Sequence, residues 1–587
     1  MTMKKHLGER IRLRLPAARR GVEGGRSESG SVRPGRTRED WRLILVVLAM
    51  MLVYGAVGLR MGLLALIEPV EPRMAGGAGV TTPLRGEIAD RNGNLLAANL
   101  PAFSLYVDPT EIKDPAGVAD DLAAIFPDED REQLFKRLSR KARFAWIKRP
   151  ITPRQRQAVL DLGYPGLKFG SRVMRIYPAG RTAAHLVGGV QAASEDVRFA
   201  ELVGSGGVEG YFDARLRNPG QIGTPLELSI DLTVQAALRD VLAAGTKRFR
   251  AKGATAVVMD VRTGELHAMV SLPDFDPNHK PKSYSGPAEL DPRFNRAAFG
   301  RYELGSTFKV LTAASALESG IVGPQTMIET GSALAFGRYR IRDTHKMPPE
   351  MTVADVVVRS SNVGAARLAL NLGTPRLKDY LKRLGMFEQL PLELAEAARA
   401  KPLLPPRWTD LSTMTISFGH GLAVSPIHLA AAFATLANDG RRVRPTLIKG
   451  GHEPGEQIFS TATSRVMMQI MRDVVRRGTA QRGQLAGYDI GGKTGTADKY
   501  RPGGGYYNDR VIATFAAVFP INEPRFVLVL SLDEPVDRSG KVERREASRT
   551  AVPVAAAAIE RIAPLLGLRP QPGSLPGALA AIETSGQ

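Results

Sequence analysis

The sequence predicts an α/β fold in which helices flank one antiparallel sheet of five strands, contributed by both ends of a helical insert. Two β-rich runs, 255–261 and 265–272, surround a Thr-Gly turn and predict a hairpin. Helical patterns dominate residues 306–438. Three further strand patterns and a helix follow, at 488–497, 511–519, 526–532 and 551–563. Strands on both sides of a long helical stretch favour a single sheet assembled around that stretch.

The composition excludes several kinds of site. The chain of 587 residues has no cysteine, which removes thiol nucleophiles, iron–sulfur clusters and Cys-ligated zinc. Its eight histidines are scattered and no H-E-x-x-H pair occurs, so we expect neither a metal nor a cofactor. The net charge is +21, yet aromatic residues make up only 6% and do not accompany the basic residues. We therefore expect no nucleic-acid partner.

A single membrane anchor is predicted at residues 43–67. Residues 43–59 carry no charge, and the apolar pattern resumes after Arg60. A helix of 25 residues spans about 38 Å, which is enough for a bilayer core. One alternative is a buried core helix, which is rarely apolar on every face. The other is a cleaved signal peptide, which usually begins with a shorter charged segment than residues 1–42.

The charges flanking the anchor predict its orientation. Residues 1–42 hold 12 Lys and Arg against 5 Asp and Glu, whereas residues 68–84 hold one Arg against two Glu. The positive-inside rule places the basic tail in the cytoplasm and the rest of the chain outside. The Pro- and Gly-containing stretch at 68–84 is typical of a linker. We predict a mixed α+β pedestal domain at 85–247, a larger domain at 248–565 and a flexible tail at 566–587.

A candidate nucleophile lies where a helix pattern begins. Ser306 and Lys309 stand three residues apart in G-S-T-F-K, so their side chains share one face of the helix. An amine can take the proton of a serine hydroxyl, and the helix N-terminus favours developing negative charge. In isolation the same string is more often a helix-capping serine followed by a solvated lysine.

Two further strings provide polar groups of the kind that such a nucleophile needs. Ser360 and Asn362, in S-S-N between two helix patterns, present a hydroxyl and a carboxamide side by side. The string K-T-G-T reads as a strand: Lys493 supplies a second amine, and Gly495 lets a substrate backbone approach the strand edge. We expect the charge of Lys493 to lower the pKa of Lys309. Separately, each string is more often an ordinary turn or an exposed strand.

In this order, the three strings resemble the motifs of the serine penicillin-recognising enzymes, the D,D-transpeptidases and serine β-lactamases. S-S-N stands here where the motif is also written S-D-N. Other strings are similar to those of class B penicillin-binding proteins: R-G-E-I-A-D-R-N-G at 85–93, R-I-Y-P-A-G at 175–180, H-L-V-G at 185–188, G-V-E-G-Y-F at 207–212, S-F-G-H-G at 417–421 and N-D-G at 438–440. Y-E-L-G-S at 302–306 resembles their nucleophile turn, with Leu304 where proline is usual. The resemblance spans about residues 41–565.

The resemblance implies a role for each matching residue. Ser306 would attack the carbonyl of a terminal D-Ala-D-Ala, with Lys309 as general base. Ser360 would pass a proton to the leaving amine, Asn362 would hold the donor amide, and Lys493 would adjust the electrostatics. The terminal carboxylate would bind Thr494 and Thr496, beside Gly495, and the backbone N–H groups of Ser306 and Thr496 would form the oxyanion hole. His420 is left open between packing and a role at the rim of the site.

The family further implies a peptidoglycan D,D-transpeptidase, inhibited by β-lactams, in the inner membrane with its catalytic domain in the periplasm. Length and the S-F-G-H-G string look more like the division enzyme, acting at the septum, than the elongation enzyme. Implied partners are stem peptides, a membrane-embedded lipid-II polymerase of the shape, elongation, division and sporulation family, and other division proteins. The alternatives are an elongation enzyme, a hydrolase of the same superfamily, and a non-catalytic β-lactam sensor.

Overall fold

The computed structural model describes residues 38–66, 85–195, 200–281, 284–337, 339–450, 455–501 and 504–571. The predicted linker at 68–84, most of the basic tail and most of the predicted C-terminal tail lie outside these residues. The chain divides into two compact units, Met1–Gly79 and Val80–Gln587.

The described residues of the first unit, 38–66, form one helix, α1, at Arg38–Leu66. Its apolar side chains are exposed where they are described, including Leu48, Leu52 and Tyr54, each at least half accessible. Within the described part of the chain, no helix combines the length and the apolarity that crossing a membrane requires. The anchor at 43–67 therefore stays a prediction.

The second unit begins with a small mixed sheet and its helices. In chain order its elements are β1 Ile88–Ala89, β2 Leu95–Val107, α2 Pro115–Ile125, α3 Arg131–Leu138, β3 Ala145–Ile151, α4 Pro153–Asp161, β4 Leu167–Ile176, α5 Ala184–Val187, β5 Gly189–Glu195, β6 Ala200–Gly206, α6 Gly207–Tyr211, α7 Asp213–Leu216, β7 Leu226–Glu227 and α8 Leu232–Arg248. Strand β2 pairs with β1, β3 and β4, and β1 pairs in parallel with β7. Buried apolar residues of β2, β3, α2 and α3 form a separate small core here.

Three of the pedestal strings meet in one buried charged cluster. The carboxylate of Glu209, which is fully buried, binds the guanidinium of Arg85 at 2.5 Å and that of Arg175 at 2.7 Å. Arg85 also binds Asp213 at 2.7 Å, and Tyr177 donates a hydrogen bond of 3.4 Å to Glu209. Buried charges are retained when they are paired in this way. The cluster therefore joins segments that are more than 120 residues apart.

The larger sheet and its helices follow. Their elements are β8 Gly253–Asp260, β9 Leu266–Leu272, α9 Phe308–Glu318, β10 Met327–Glu329, β11 Leu334–Phe336, β12 Tyr339–Ile341, β13 Glu350–Thr352, α10 Val353–Val358, α11 Asn362–Leu372, α12 Thr374–Arg383, α13 Asp410–Ser417, α14 Pro426–Ala437, α15 Thr461–Arg477, β14 Gly491–Tyr500, β15 Tyr506–Phe519, β16 Phe526–Asp533 and α16 Ala551–Ile562. The strand order is β14-β15-β16-β8-β9, with every pair antiparallel. The predicted five-stranded sheet, drawn from both sides of the helical segment, is confirmed.

Helix α8 packs on the larger sheet. Gln235 exchanges hydrogen bonds of 2.8 and 2.7 Å with the backbone of Met269 in β9, and Gly245 packs against Val554 of α16. A Cβ at Gly245 would lie 2.7 Å from Val554, so the two helices need a residue without a side chain here. These contacts pack α8 against β9 and α16, and the domain boundary at 247 stays a prediction.

Candidate active site

The turn that carries Ser306 is held between two neighbouring backbones. Ser306 lies in a short 3₁₀ turn, Gly305–Thr307, that leads into α9. Gly305 has a φ of 55°, and a Cβ there would lie 2.8 Å from the carbonyl oxygen of Thr496 in β14. On the other side, a Cβ at Gly419 would lie 2.0 Å from the carbonyl oxygen of Gly305. Glycines therefore let β14 and the S-F-G-H-G loop fix the position of Ser306.

Lys309 is the centre of the site. Its side-chain nitrogen lies 2.9 Å from the Ser306 hydroxyl, 2.7 Å from Oδ1 of Asn362 and 2.6 Å from the carbonyl oxygen of Ser360. Only 1% of Lys309 is accessible to solvent. The i, i+3 spacing predicted a shared helix face, and the geometry brings the nitrogen within hydrogen-bond reach of the nucleophile.

Lys493 approaches from the strand edge. It is fully buried, and its nitrogen donates a hydrogen bond of 2.9 Å to the Ser360 hydroxyl. The same hydroxyl lies 3.1 Å from the Lys309 nitrogen, so Ser360 bridges the two amines. Five of the predicted site residues thus form one hydrogen-bonded network: Ser306, Lys309, Ser360, Asn362 and Lys493.

The loop that presents Ser360 and Asn362 depends on Asp343, a residue that the sequence analysis missed. Asp343 accepts hydrogen bonds from the Ser361 hydroxyl at 2.7 Å and from the backbone N–H of Asn362. Ser360 itself has a φ of 65°, a conformation that a serine adopts only when its surroundings hold it. Asp343 follows a short hairpin and belongs to no motif, so nothing in the sequence indicates its role.

Burial sets the protonation of the two lysines. Burial lowers the pKa of Lys309 to about 7, and the charge of Asp343 partly opposes this shift. Burial also lowers the pKa of Lys493, and the charge of Lys309 lowers it further. We expected the charge of Lys493 to lower the pKa of Lys309; burial is the larger cause of that shift, and the interaction between the two lysines is seen in the lowered pKa of Lys493. A pKa near neutrality suits Lys309 to accept a proton at physiological pH.

The residues after Lys493 lie in strand β14, which is the edge strand of the sheet; of the strands that the structure describes, β15 alone pairs with it. The Thr494 hydroxyl lies 2.7 Å from that of Thr479, and the Thr496 hydroxyl accepts a hydrogen bond of 3.0 Å from Ala547. A Cβ at Gly495 would lie 2.2 Å from the carbonyl oxygen of Leu304. The close approach that Gly495 permits is therefore one between β14 and the nucleophile turn.

A second polar group borders the nucleophile turn. Oε1 of Glu303 accepts hydrogen bonds from the backbone of Gly421 at 2.8 Å and from the Tyr506 hydroxyl at 3.0 Å. The His420 ring stands edge-on to Tyr506, with 5.8 Å between their centroids. Burial lowers the pKa of His420 to about 4, so this ring is neutral at pH 7. Glu303 lies within the string Y-E-L-G-S at 302–306, which by itself indicates no role for this side chain.

Among the described residues, no group of three His, Asp or Glu side chains could hold a metal ion.

Comparison with known proteins identifies the family. Residues 254–560 match the penicillin-binding protein transpeptidase domain, and residues 80–224 match the penicillin-binding protein dimerisation domain. The chain belongs to the penicillin-binding protein transpeptidase family. This pair of domains, with the strings at 85–93 and 207–212, makes it a class B member.

Relatives and a solved structure agree with this assignment. The chain is 37% identical over 498 residues to a probable peptidoglycan D,D-transpeptidase FtsI of Caulobacter vibrioides, covering 83% of this penicillin-binding protein and 82% of the relative. It is 30% identical over 527 residues to peptidoglycan D,D-transpeptidase FtsI of Escherichia coli, covering 84% and 88%. The crystal structure of penicillin-binding protein 3 from Mycobacterium tuberculosis, complexed with aztreonam, shares its fold at a TM-score of 0.62 and 23% identity, covering 84% of this chain and 98% of that one.

Proposed function

We propose that this penicillin-binding protein is a peptidoglycan D,D-transpeptidase that crosslinks stem peptides through an acyl-enzyme on Ser306. The observation that carries the proposal is the buried contact of 2.9 Å between the Lys309 nitrogen and the Ser306 hydroxyl. A lysine with a pKa of about 7 is unprotonated in a substantial fraction of molecules at neutral pH, as a general base must be.

Acylation uses the network as follows. Lys309 takes the hydroxyl proton of Ser306, and the oxygen attacks the carbonyl of the donor's terminal D-Ala-D-Ala. The backbone N–H groups of Ser306 and Thr496 stabilise the oxyanion. Each such donor accelerates the reaction by about 10²–10³-fold. Ser360, in contact with Lys309 and Lys493, passes a proton to the leaving D-alanine.

Asn362 and the threonines that follow Lys493 in β14 position the substrate. Asn362 holds the donor amide, and the hydroxyls of Thr494 and Thr496 bind the terminal carboxylate beside the edge strand. Lys493 adjusts the electrostatics of the site and donates a hydrogen bond to Ser360, while burial and the charge of Lys309 lower its pKa. An amine of a neighbouring stem peptide then attacks the acyl-enzyme and completes the crosslink. β-Lactams resemble the donor and acylate the same serine.

The septum is the proposed place of action, because relatives with 37% and 30% identity are named FtsI. The proposed arrangement is single-pass: a cytoplasmic tail at 1–42, an inner-membrane anchor at 43–67, a linker at 68–84 and the periplasmic domains after it. The pedestal and anchor would contact the lipid-II polymerase and other division proteins. The exposed apolar side chains of α1 support this anchor.

A labelling and turnover experiment tests the proposed function. The full chain, in detergent, is treated with a fluorescent penicillin and then with nascent glycan strands bearing donor and acceptor peptides. We expect stable label on Ser306 and penicillin-sensitive crosslinks. Rapid loss of the label would indicate a hydrolase, and stable label without crosslinks would indicate a sensor. The position of the protein in cells, at midcell or along the side wall, distinguishes division from elongation.

A further inference from the structure

A cavity with a volume of about 620 Å³ lies between the dimerisation domain and the transpeptidase domain. Residues of α5, β5 and β6 line one side, and residues between β9 and α9, together with Glu396, line the other. Of the described residues that line the cavity, none belongs to the catalytic network. Ligand-binding cavities have volumes of about 300–1,000 Å³ and are often found at domain interfaces. The size and the place of this cavity therefore suit a ligand bound apart from the catalytic network.

Part of the cavity wall is aromatic. The rings of Phe294 and Phe299 stand edge-on to each other, with 5.6 Å between their centroids, and both side chains are half-buried. Phe275 stands edge-on to His185 at 5.5 Å. Burial lowers the pKa of His185 to about 4, so this ring is neutral at pH 7. The aromatic wall therefore offers a ligand apolar surface and no charge.

Lys280 brings a positive charge to the cavity. Six of the described lysines are buried or half-buried. Two of them are the lysines of the active site, and three form ion pairs with carboxylates: Lys148, Lys168 and Lys499. The sixth is Lys280, and no Asp or Glu oxygen of the described residues lies within 4.0 Å of its nitrogen. Neither the proposed reaction nor an ion pair therefore accounts for this half-buried amine.

The surroundings of Lys280 hold its amine without neutralising it. Its nitrogen donates hydrogen bonds of 3.1 Å to the Ser205 hydroxyl and of 3.4 Å to the carbonyl oxygen of Val190. A Cβ at Gly189 would lie 2.1 Å from this nitrogen, so the glycine leaves room for the amine. Burial lowers the pKa of Lys280, and the charge of Glu209 partly opposes the shift. An ammonium group has three donors, so one remains for an anionic ligand, which would also offset the cost of burying the charge.

Glu396 brings a negative charge to the same cavity. Its Oε2 accepts a hydrogen bond of 3.1 Å from the backbone N–H of Gly207, and its Oε1 accepts one of 2.8 Å from Asn295. No Lys, Arg or His nitrogen of the described residues lies within 4.0 Å of this carboxylate. The other charged groups in the lining, Asp291 and Arg293, pair with each other at 2.7 Å. Each carboxylate oxygen can accept two hydrogen bonds, so Glu396 can also bind a cationic group.

The two unpaired charges border one cavity. Lys280 contacts Ser205, and Glu396 contacts Gly207, two residues further along the chain, yet the two charged groups lie more than 4.0 Å apart. With apolar surface beside them, they complement a peptide that carries both a carboxylate and an ammonium group. We propose that the cavity binds a stem peptide outside the active site, with a carboxylate of the peptide on Lys280 and its free side-chain amine on Glu396.

The chemistry of the proposed substrates favours a stem peptide as the occupant. Acceptor stem peptides carry carboxylates and a free amine, which is an ammonium group at neutral pH because alkyl amines have pKa values of about 10. This choice of occupant rests on the proposed function, whereas the need for both charges follows from Lys280 and Glu396. Because each of these side chains also contacts the dimerisation domain, the occupied cavity links that domain to the transpeptidase domain.

Binding to the full chain with its active site blocked tests this inference. The chain, in detergent, is acylated with benzylpenicillin, and equilibrium dialysis then measures binding of a labelled stem tripeptide that has carboxylates and a free side-chain amine. The same tripeptide is also prepared with its carboxylates amidated, and with its amine acetylated. The variants Lys280→Met and Glu396→Gln keep the approximate shape of each side chain. Lys449→Met is the matched control, because Lys449 also joins the two domains, through the carbonyl oxygen of Arg91, but does not line the cavity.

The acylated native chain should bind the tripeptide at least 10-fold more tightly than either modified form, since a hydrogen bond between charged groups contributes about that much affinity. Lys280→Met should lose the preference for the carboxylate form and keep the preference for the free amine, and Glu396→Gln should do the reverse. Lys449→Met should match the native chain. A merely structural change would weaken binding of all three peptides alike, so this crossed pattern is specific to the proposed contacts.

Absence of binding to the acylated native chain overturns the inference, and so do variants that both keep the native preferences. Equally tight binding of the all-L tripeptide Ala-Glu-Lys would overturn the stem peptide as the occupant. If penicillin does not acylate Lys280→Met, Lys280→Gln, whose amide can still donate to Ser205, is judged by the same ratios. A native chain that binds the tripeptide but is not acylated by penicillin would instead overturn the proposed function.

Discussion

The side-chain nitrogen of Lys309 lies 2.9 Å from the hydroxyl oxygen of Ser306, one helical turn away, in a position that solvent barely reaches. Burial removes the water that would otherwise stabilise the ammonium form of the lysine. The same packing that orients the base therefore also adjusts its pKa.

The rate of acylation should depend on pH through Lys309. Because the neutral amine is the reactive form and its pKa is about 7, the rate constant for penicillin acylation should rise with pH and reach half of its plateau near pH 7. Stopped-flow measurement of acylation from about pH 5 to pH 9 checks this. Lys309→Met should lower the plateau at least 10²-fold. A rate that does not vary over this range would assign the base to another group.

Lys309→Met should also change how stability depends on pH. In the unfolded chain Lys309 keeps its proton up to about pH 10.5, whereas in the folded chain it loses the proton above about pH 7. Between these values the unfolded state binds more protons, so the free energy of unfolding of the native chain rises with pH, by up to about 1.4 kcal/mol per unit.

The methionine variant lacks this contribution. Urea unfolding of both chains at pH 7, 8 and 9 should show the native chain gaining stability relative to Lys309→Met as the pH increases. Loss of the Lys309 charge also raises the pKa of Lys493 in the folded variant, so Lys493 contributes less to the rise of stability with pH there and the difference between the chains keeps its sign. Parallel curves would mean that Lys309 titrates alike in the folded and unfolded states.

Gly495→Ala should slow acylation, because it displaces the backbone beside the nucleophile. The added Cβ would lie 2.2 Å from the carbonyl oxygen of Leu304, so β14 and the nucleophile turn would have to separate. We expect the acylation rate to fall at least 10²-fold, because a displacement of about 1 Å at a reacting centre costs that much. Gly223→Ala is the control, since a Cβ there meets nothing within 4 Å. Normal labelling of Gly495→Ala would show that the two segments can move apart freely.

The pedestal should depend on Glu209. Glu209→Gln leaves the buried guanidinium groups of Arg85 and Arg175 without their shared carboxylate, which should cost about 3–5 kcal/mol in the free energy of unfolding. Thermal and urea unfolding of the full chain measure the loss. Asp120→Asn removes the partner of Arg131 in an exposed ion pair and should have no measurable effect. Equal effects of the two substitutions would contradict the special role of the buried cluster.

The sequence was sufficient to predict the elements of the larger domain and the strings that carry the site. The hairpin, the helical segment and the three later strands have clear periodicities, because each buries one continuous apolar pattern. Ser306 and Lys309 are three residues apart, so their side chains lie on the same face of a helix whatever the tertiary structure is.

The features that escaped prediction depend on contacts between distant segments. Asp343 orients the loop of Ser360 and Asn362 from a stretch with no recognisable pattern. The low pKa of Lys309 results from burial, which only the assembled domain provides. Gly495 illustrates the same limit. Its string suggested that the missing side chain leaves room for the substrate, whereas the carbonyl group of Leu304 occupies that room.

The most direct test of the account is the mass of the adduct formed with benzylpenicillin, mapped by peptide sequencing. The account predicts one equivalent of covalent adduct on the peptide that contains Ser306, and none in Ser306→Ala, whose circular dichroism should match that of the native chain. An adduct on any other residue, or one that persists in folded Ser306→Ala, would contradict it.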